Sequence, residues 1–291
     1  MKISREGKLF IENCTKADAK RDEGLSVPET IEYIEGIPYG DTDKQNLDIC
    51  FPKDAKEKLP VIVSVHGGAY VYGSAKLYKY YCASLAERGF AVINFNYRLA
   101  PEYRFPTPLI DLNLVLHKIS SEEIKEKYPL DLNNVFIVGD SAGAQITSQY
   151  GIIYSNDKYR ELFDITLPDV KIRGLGLNCG KYIFLDEELD QKDGIYNDYF
   201  GDNARSFGEM LNVMEYVTSS YPPSYILSAP ADFLLPFAKP MKDFLDMKGV
   251  KNACKIYGDK NTGHVFHVDV RSSIGKSAND DETEFFKALL Q

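Results

Sequence analysis

The sequence predicts an α/β protein built on a mostly parallel, doubly wound sheet. Six short apolar runs, several of them β-branched, each end in Gly, Asn, Asp or Pro, and runs with no polar alternation suit strands covered on both faces. Helical patterns separate the runs, and strand alternating with helix is the signature of a doubly wound architecture. With 291 residues, 44% of them hydrophobic, the chain can bury one large core. A single domain spanning residues 1–291, with small appendages, is therefore expected.

Residues 1 to about 30 are polar and charged and read as a helical arm or lid element rather than a core strand. "TIEYIEGIPYG" and "QNLDICF" alternate apolar and polar residues around a Gly40-Asp41 turn signal, as an antiparallel edge hairpin would. The buried-strand runs follow: "LPVIVSVHGG", "FAVINFNYR", "NVFIVGDS", "VKIRGLGLNCG", "SYILSAPAD" and "ACKIYGD". Between and after them, helices are expected at about 75–88, 108–127, 141–154, 236–248 and 279–290. Residues 182–215 break the rhythm with acidic and aromatic residues and no clear strand. An excursion of that length inside a compact domain is usually functional, and it reads as a lid or cap.

Composition narrows the function. Thirty-four basic against 43 acidic residues give a net charge of −9, which repels polyphosphates and offers no cationic footprint for DNA or RNA. The five cysteines (Cys14, Cys50, Cys82, Cys179, Cys254) are scattered and form no C-x-x-C pair. They read as reduced, buried thiols rather than a disulfide frame or a zinc site. The charged N-terminus lacks the apolar core of a signal peptide, and no run of about 18 apolar residues could cross a bilayer. A soluble, cytoplasmic protein without a membrane partner is expected.

The chemistry concentrates in "VFIVGDSAGAQITSQY", where a buried strand ends in Gly139-Asp140-Ser141-Ala142-Gly143 and turns at once into a helical pattern. A residue at such a corner is held in a strained conformation, and glycines on either side leave room for strand and helix to pass. G-x-S-x-G in this context is the nucleophile elbow of the α/β-hydrolase fold, with Ser141 the nucleophile. A serine hydroxyl needs a base to take its proton and a carboxylate to orient that base. In this fold the partners follow in the order Ser, Asp or Glu, His. His66 and His117 precede the serine, which leaves His264 and His267. His264, in a Gly-containing loop after an apolar run, is favoured as base. Asp232, three residues past the strand in "SYILSAPADFLLP", is favoured as acid over Asp259, which reads as a surface turn residue. "VSVHGGAY" ends an earlier strand, and the N–H groups of its Gly67-Gly68-Ala69 turn, with that of Ala142, are the candidate oxyanion donors. His66 is expected to shape that turn by bonding to backbone. "GDSAG" lacks the Lys of a P-loop and the spacing of a dinucleotide fingerprint.

Together these residues resemble the hormone-sensitive-lipase-like esterases of the α/β-hydrolase superfamily, from about residue 60 onward. "HGGAY" is similar to that family's HGGG, "NFNYRLAPEYRFPTPLIDL" to its YRLAPE block, and "GDSAG" to its nucleophile motif. "ADFLLP" and "GHVF" resemble the segments carrying the acid and the histidine. The resemblance implies a Ser141-Asp232-His264 triad and an oxyanion hole framed by Gly67, Gly68, Ala69 and Ala142. It further implies a cap made of the N-terminal arm and residues 182–215, and scaffold roles for Arg98 and Glu102. Ala69 replaces the family's third glycine, so the turn keeps its donor provided that position needs no positive φ, and room for bulky tertiary alcohols is reduced. Tyr70, Tyr72 and Tyr182 are candidates for the pocket lining.

The expected activity is hydrolysis of short-chain carboxylic esters through an acyl-enzyme, on a small-molecule ester, with no metal or organic cofactor. An arylformamidase-like amide hydrolase and a non-catalytic ligand-binding protein on the same scaffold are the alternatives. The architecture is also compatible with a homodimer formed through an edge strand or the last helix.

Overall fold

A computed structural model describes residues 2–290. After a capped N-terminal helix α1 (Arg5–Asp22) come strands β1 (Ile31–Pro38), β2 (Asn46–Pro52) and β3 (Leu59–Val65), helix α2 (Ala75–Ala86) and strand β4 (Ala91–Phe95). The middle of the chain forms α3 (Thr107–Ser120), a single turn α4 (Glu122–Lys125), β5 (Leu130–Asp140), α5 (Ala142–Ser155), α6 (Asp157–Glu161) and β6 (Ile172–Asn178). Short helices α7 (Asp186–Leu189) and α8 (Ile195–Phe200) and two 3-10 segments, Ala204–Leu211 and Val213–Tyr216, occupy the predicted excursion. Then follow β7 (Ser224–Ser228), α9 (Leu235–Met247), β8 (Asn252–Ile256), a 3-10 turn Phe266–Val268 and α10 (Ser273–Lys287).

The eight strands form one sheet in the order β1-β2-β4-β3-β5-β6-β7-β8. β1 and β2 pair antiparallel, as do β2 and β4, and every later pairing is parallel. The expected hairpin is present, but only β1 lies at the edge. β2 is interior because its other side pairs with β4 over Leu47–Cys50.

Strand β5 shows why its sequence carries no polar alternation. Val135 and Ile137 belong to the core on one face, with Leu109 and Leu112 of α3 and Ile146 of α5. Phe136 and Val138 belong to the core on the other, with Phe90 and with Phe286 of α10. Phe136 and Phe286 stack with ring centroids 4.6 Å apart. Burying an aromatic side chain of this kind is worth roughly 1.5–3 kcal/mol, so each face of the strand contributes to the fold.

Two helices depart from the pattern expected. The segment read as one helix over 108–127 breaks at Ser121, whose N–H bonds back to the Lys118 carbonyl before α4 begins. The last helix starts six residues early, because Ser272 caps it by accepting the Gly275 N–H at 3.2 Å. Among the described residues no helix is long and apolar enough to cross a membrane.

Candidate active site

The corner between β5 and α5 puts Ser141 at φ 54°, ψ −117°, a region that L-residues rarely occupy. Its glycines are required by close approach. A Cβ on Gly139 would lie 2.3 Å from the Gly143 carbonyl oxygen, and one on Gly143 would lie 2.0 Å from the Val65 carbonyl oxygen. Ser141 is anchored by its N–H to the Asn178 carbonyl at 2.9 Å, and its side chain is directed into a cavity of about 560 Å³. The first N–H groups of α5, beginning with Ala142, have no carbonyl of their own helix to bond and present a positive dipole end there.

Asp232 and His264 follow the carboxyl ends of β7 and β8. Their loops are tied together by the Ala231–Gly263 bridge and by the Ala231 N–H bonding to the Thr262 carbonyl at 2.9 Å. His264 Nδ1 lies 2.7 Å from Asp232 Oδ1, with the carboxylate fully buried and the imidazole 22% exposed. Burial alone would raise the Asp232 pKa. The hydrogen bond and charge of His264, with donors from Ser228 Oγ and the Leu234 N–H, outweigh it and hold the group down at about 2. The carboxylate therefore stays ionised and fixes the imidazole with Nε2 turned away from it. His264 and Ser141 line the same cavity, although no hydrogen bond closes between their side chains in this state.

The other histidines are elsewhere. His267 is fully buried, and burial followed by the nearby His264 charge lowers its pKa to about 3. His66 is buried beneath the cavity floor, its Nδ1 2.7 Å from the Gly67 carbonyl and its ring stacked on Tyr97 at 4.1 Å. His117 contacts the Thr166 carbonyl on a distant helix.

The turn after β3 requires two corrections. Gly67 does not point a spare donor at the cavity, because its N–H is taken by Tyr78 Oη at 3.0 Å. Its glycine is needed for space instead, since a Cβ would fall 2.3 Å from Asp140 Oδ2. The proviso on Ala69, that its position need no positive φ, is not met: it has φ 51°, with Tyr70 at 66° and Gly68 at 121°, so the alanine itself takes up the left-handed conformation. The tight turn closed by the Val71 and Tyr72 N–H groups on the Gly68 carbonyl forces this. Gly68, Ala69 and Ala142 all line the cavity.

Of the three tyrosines, Tyr70 and Tyr72 line the cavity. Tyr182 does not: it is buried, and its hydroxyl donates to the Leu177 carbonyl. Arg98 forks onto the buried Asp111, and Glu102 pairs with Lys44, both away from the cavity. Asp259 caps its own turn by accepting the Asn261 N–H.

Sequence reading missed several wall residues. Helix α1 presents Glu6, Phe10, Cys14, Ala17, Asp18 and Arg21 to the cavity, a stripe at spacings of three and four that was there to be read. Phe233 leans on His264 with centroids 4.3 Å apart, and Lys181, buried against Tyr196 and Phe237, pairs with Glu188. Tyr78 carried no signal separating it from a packing aromatic.

A parallel sheet with an antiparallel start, a strained serine at the strand–helix corner and an imidazole–carboxylate pair two and three strands along the sheet define an α/β-hydrolase fold. The BD-FAE family model matches residues 47–242, two-thirds of the chain. The chain belongs to the BD-FAE family of α/β-hydrolases. Relatives include esterase LipC of Mycobacterium tuberculosis, 32% identical over 126 residues, which are 43% of this chain and 31% of that protein. Arylacetamide deacetylase of Oryctolagus cuniculus is 36% identical over 112 residues, 38% of this chain and 26% of that one. The matched stretches span less than a third of the length of these curated relatives. Esterase B from Lactobacillus rhamnosis, solved with a tributyrin phosphonate inhibitor, superposes with a TM-score of 0.88 at 22% identity, covering 97% of this chain and 94% of that one. A bacterial heroin esterase superposes with a TM-score of 0.73 at 21% identity, over 97% and 91% of the two chains. At these identities the likeness is one of fold.

Proposed function

We propose that this protein is a serine hydrolase of short-chain carboxylic esters that works through an acyl-enzyme. The observation that carries the reading is the 2.7 Å His264–Asp232 hydrogen bond on the rim of a cavity that Ser141 also lines. In the proposed cycle, His264 Nε2 takes the Ser141 hydroxyl proton as Oγ attacks the ester carbonyl. Asp232, held ionised, fixes the tautomer and stabilises the imidazolium. The N–H groups of Gly68, Ala69 and Ala142 receive the oxyanion. The bond to the alcohol then breaks, His264 returns its proton to the leaving oxygen, and water repeats the sequence to free the acid. The gap between hydroxyl and imidazole closes when substrate binds, as catalytic hydrogen bonds commonly tighten only in the Michaelis complex.

Helix α1, with Ile195 and Tyr196 from the 182–215 segment, supports the cap reading, because both stand on the cavity wall. A cavity of about 560 Å³ suits a small ester. The tributyrin phosphonate on esterase B supports the same substrate class. The five free cysteines fit a reducing compartment such as the cytoplasm. The relation to an arylacetamide deacetylase favours a second reading, amide hydrolysis by the same groups.

The test is a p-nitrophenyl ester series from acetate to octanoate, run beside an N-aryl acetamide, on wild type and Ser141→Ala. Turnover greatest at short chains, lost by about 10⁶ in the variant, is the expected result. Ester turnover that survives the substitution refutes the reading.

A further inference from the structure

Cysteine spacing alone gave no metal site, but the fold brings one cysteine to the catalytic pair. Cys179, Asp232 and His264 follow the carboxyl ends of β6, β7 and β8, three strands adjacent in the sheet. One ligand atom from each, a sulfur, a carboxylate oxygen and an imidazole nitrogen, lie within 4.8 Å of one another. Cys179 has φ 47°, and its sulfur accepts the Val265 N–H at 3.4 Å, so the thiol is locked beside the loop that carries His264.

We propose that these three side chains form an inhibitory site for a borderline-soft divalent cation of the zinc class. One nitrogen, one oxygen and one sulfur donor, with water as the fourth ligand, is a set that selects such ions over magnesium or calcium. With Zn–N and Zn–O near 2.0 Å and Zn–S near 2.3 Å, the present 2.7 Å imidazole–carboxylate separation has to open by roughly half an ångström. That movement lies within the reach of a loop residue whose ring is 22% exposed.

The protons balance simply. Cys179 loses its thiol proton to solvent on forming the S–metal bond. The Nδ1 proton of His264 leaves as the metal takes that nitrogen and is replaced, through solvent, by one on Nε2. The net release is one proton per ion. An Nε2 that carries a proton cannot accept one from Ser141, so the metal-bound form is inactive. Burial, then the Asp232 charge, keep the thiol protonated in the metal-free protein, and hydrolysis proceeds undisturbed until an ion arrives.

The inhibitory consequence rests on the triad reading; the metal binding does not, and the experiment separates them. Chelator-treated protein is titrated with Co²⁺ and the near-ultraviolet thiolate-to-cobalt absorption is recorded, while Zn²⁺, Mg²⁺ and Ca²⁺ are tested against p-nitrophenyl acetate hydrolysis. The band is expected at one ion per chain in wild type and also in Ser141→Ala, which reports binding without activity. Zn²⁺ is expected to inhibit, reversibly with EDTA, and Mg²⁺ and Ca²⁺ not. Cys179→Ser should lose the band and weaken zinc inhibition by at least about tenfold, the floor for losing even an outer-shell partner. Should Cys179→Ser not fold, His264→Ala must lose the band in its place. A band unchanged in these variants, zinc inhibition unchanged in Cys179→Ser, or equal inhibition by Mg²⁺, overturns the site. A band present without inhibition keeps the site and refutes the triad reading.

Discussion

Tyr78 Oη donates to Asp140 Oδ2 at 2.8 Å, across 62 positions of sequence, and the phenol oxygen itself accepts the Gly67 N–H. Both side chains are buried, and burial raises the Asp140 pKa to about 6 against the opposing pull of this hydrogen bond. The residue before Ser141 is thereby fastened, through one phenol, to the turn that holds the proposed oxyanion donors. Tyr78→Phe should lower kcat about tenfold with little change in KM, less than the ~10² of removing a donor outright. Steady-state kinetics on a variant with an unaltered circular dichroism spectrum decides it, and an unchanged kcat removes Tyr78 from the positioning of the turn.

The two downstream histidines should separate cleanly. His264→Ala should lose ester turnover by several orders of magnitude while its melting temperature stays within a few degrees, because the ring stands at a cavity rim. His267→Ala leaves a hole in a fully buried site and should lower the melting temperature while keeping kcat within about tenfold. The opposite pattern would reassign the base.

Phe233 is 68% exposed, yet its ring rests on His264, the group proposed to protonate the departing alcohol. In the proposed cycle the alcohol part of the substrate lies beside this ring, because Phe233 and His264 share the cavity wall. Phe233→Ala should therefore cost more in kcat/KM for phenyl acetate than for ethyl acetate, by the roughly 0.5–1.5 kcal/mol of an aromatic pair. Equal losses on the two esters would show that the ring does not contact the leaving group.

Glu282 of α10 is fully buried over Gly176, where a Cβ would come within 2.2 Å of its Oε1, and burial raises its pKa to about 8. Unfolded, the carboxyl titrates near 4.5. The folded state keeps the proton where the unfolded chain has lost it, so this contribution is complete below pH 4.5 and is lost as the pH climbs toward 8. Melting temperatures of wild type should fall relative to those of Glu282→Gln between pH 5 and 9. Parallel curves would place the ionisation elsewhere.

The backbone plan was legible because its signals are local. An apolar run such as Val135–Val138 admits one environment, and the Gly139-Ser141-Gly143 spacing admits one kind of corner. That Ser141, Asp232 and His264 stand at one end of the sheet was legible in chain order, since each follows the carboxyl end of a strand. The occupancy of individual N–H groups was not legible: Gly67 loses its donor to Tyr78, a partner supplied by packing of α2 against the sheet. The positive φ of Ala69 was not legible either, because it is set by the hydrogen bonds of Val71 and Tyr72 to Gly68. Cys179 escaped notice because nothing in its spacing anticipates the pairing of β6 with β7.

Helix α1 roofs the cavity but is held by residues synthesised much later. Ser4 bonds to Asp198 near one end, and Arg271 reaches the carbonyls of Arg21 and Glu23 near the other. An isolated helix of 18 residues is marginal in water; α1 meets Tyr72 and Leu77 nearby in the chain, but its anchors at Asp198 and Arg271 lie 194 and 250 positions from their partners. The wall that α1 gives the cavity is thus complete only once segments distant in sequence have folded onto it.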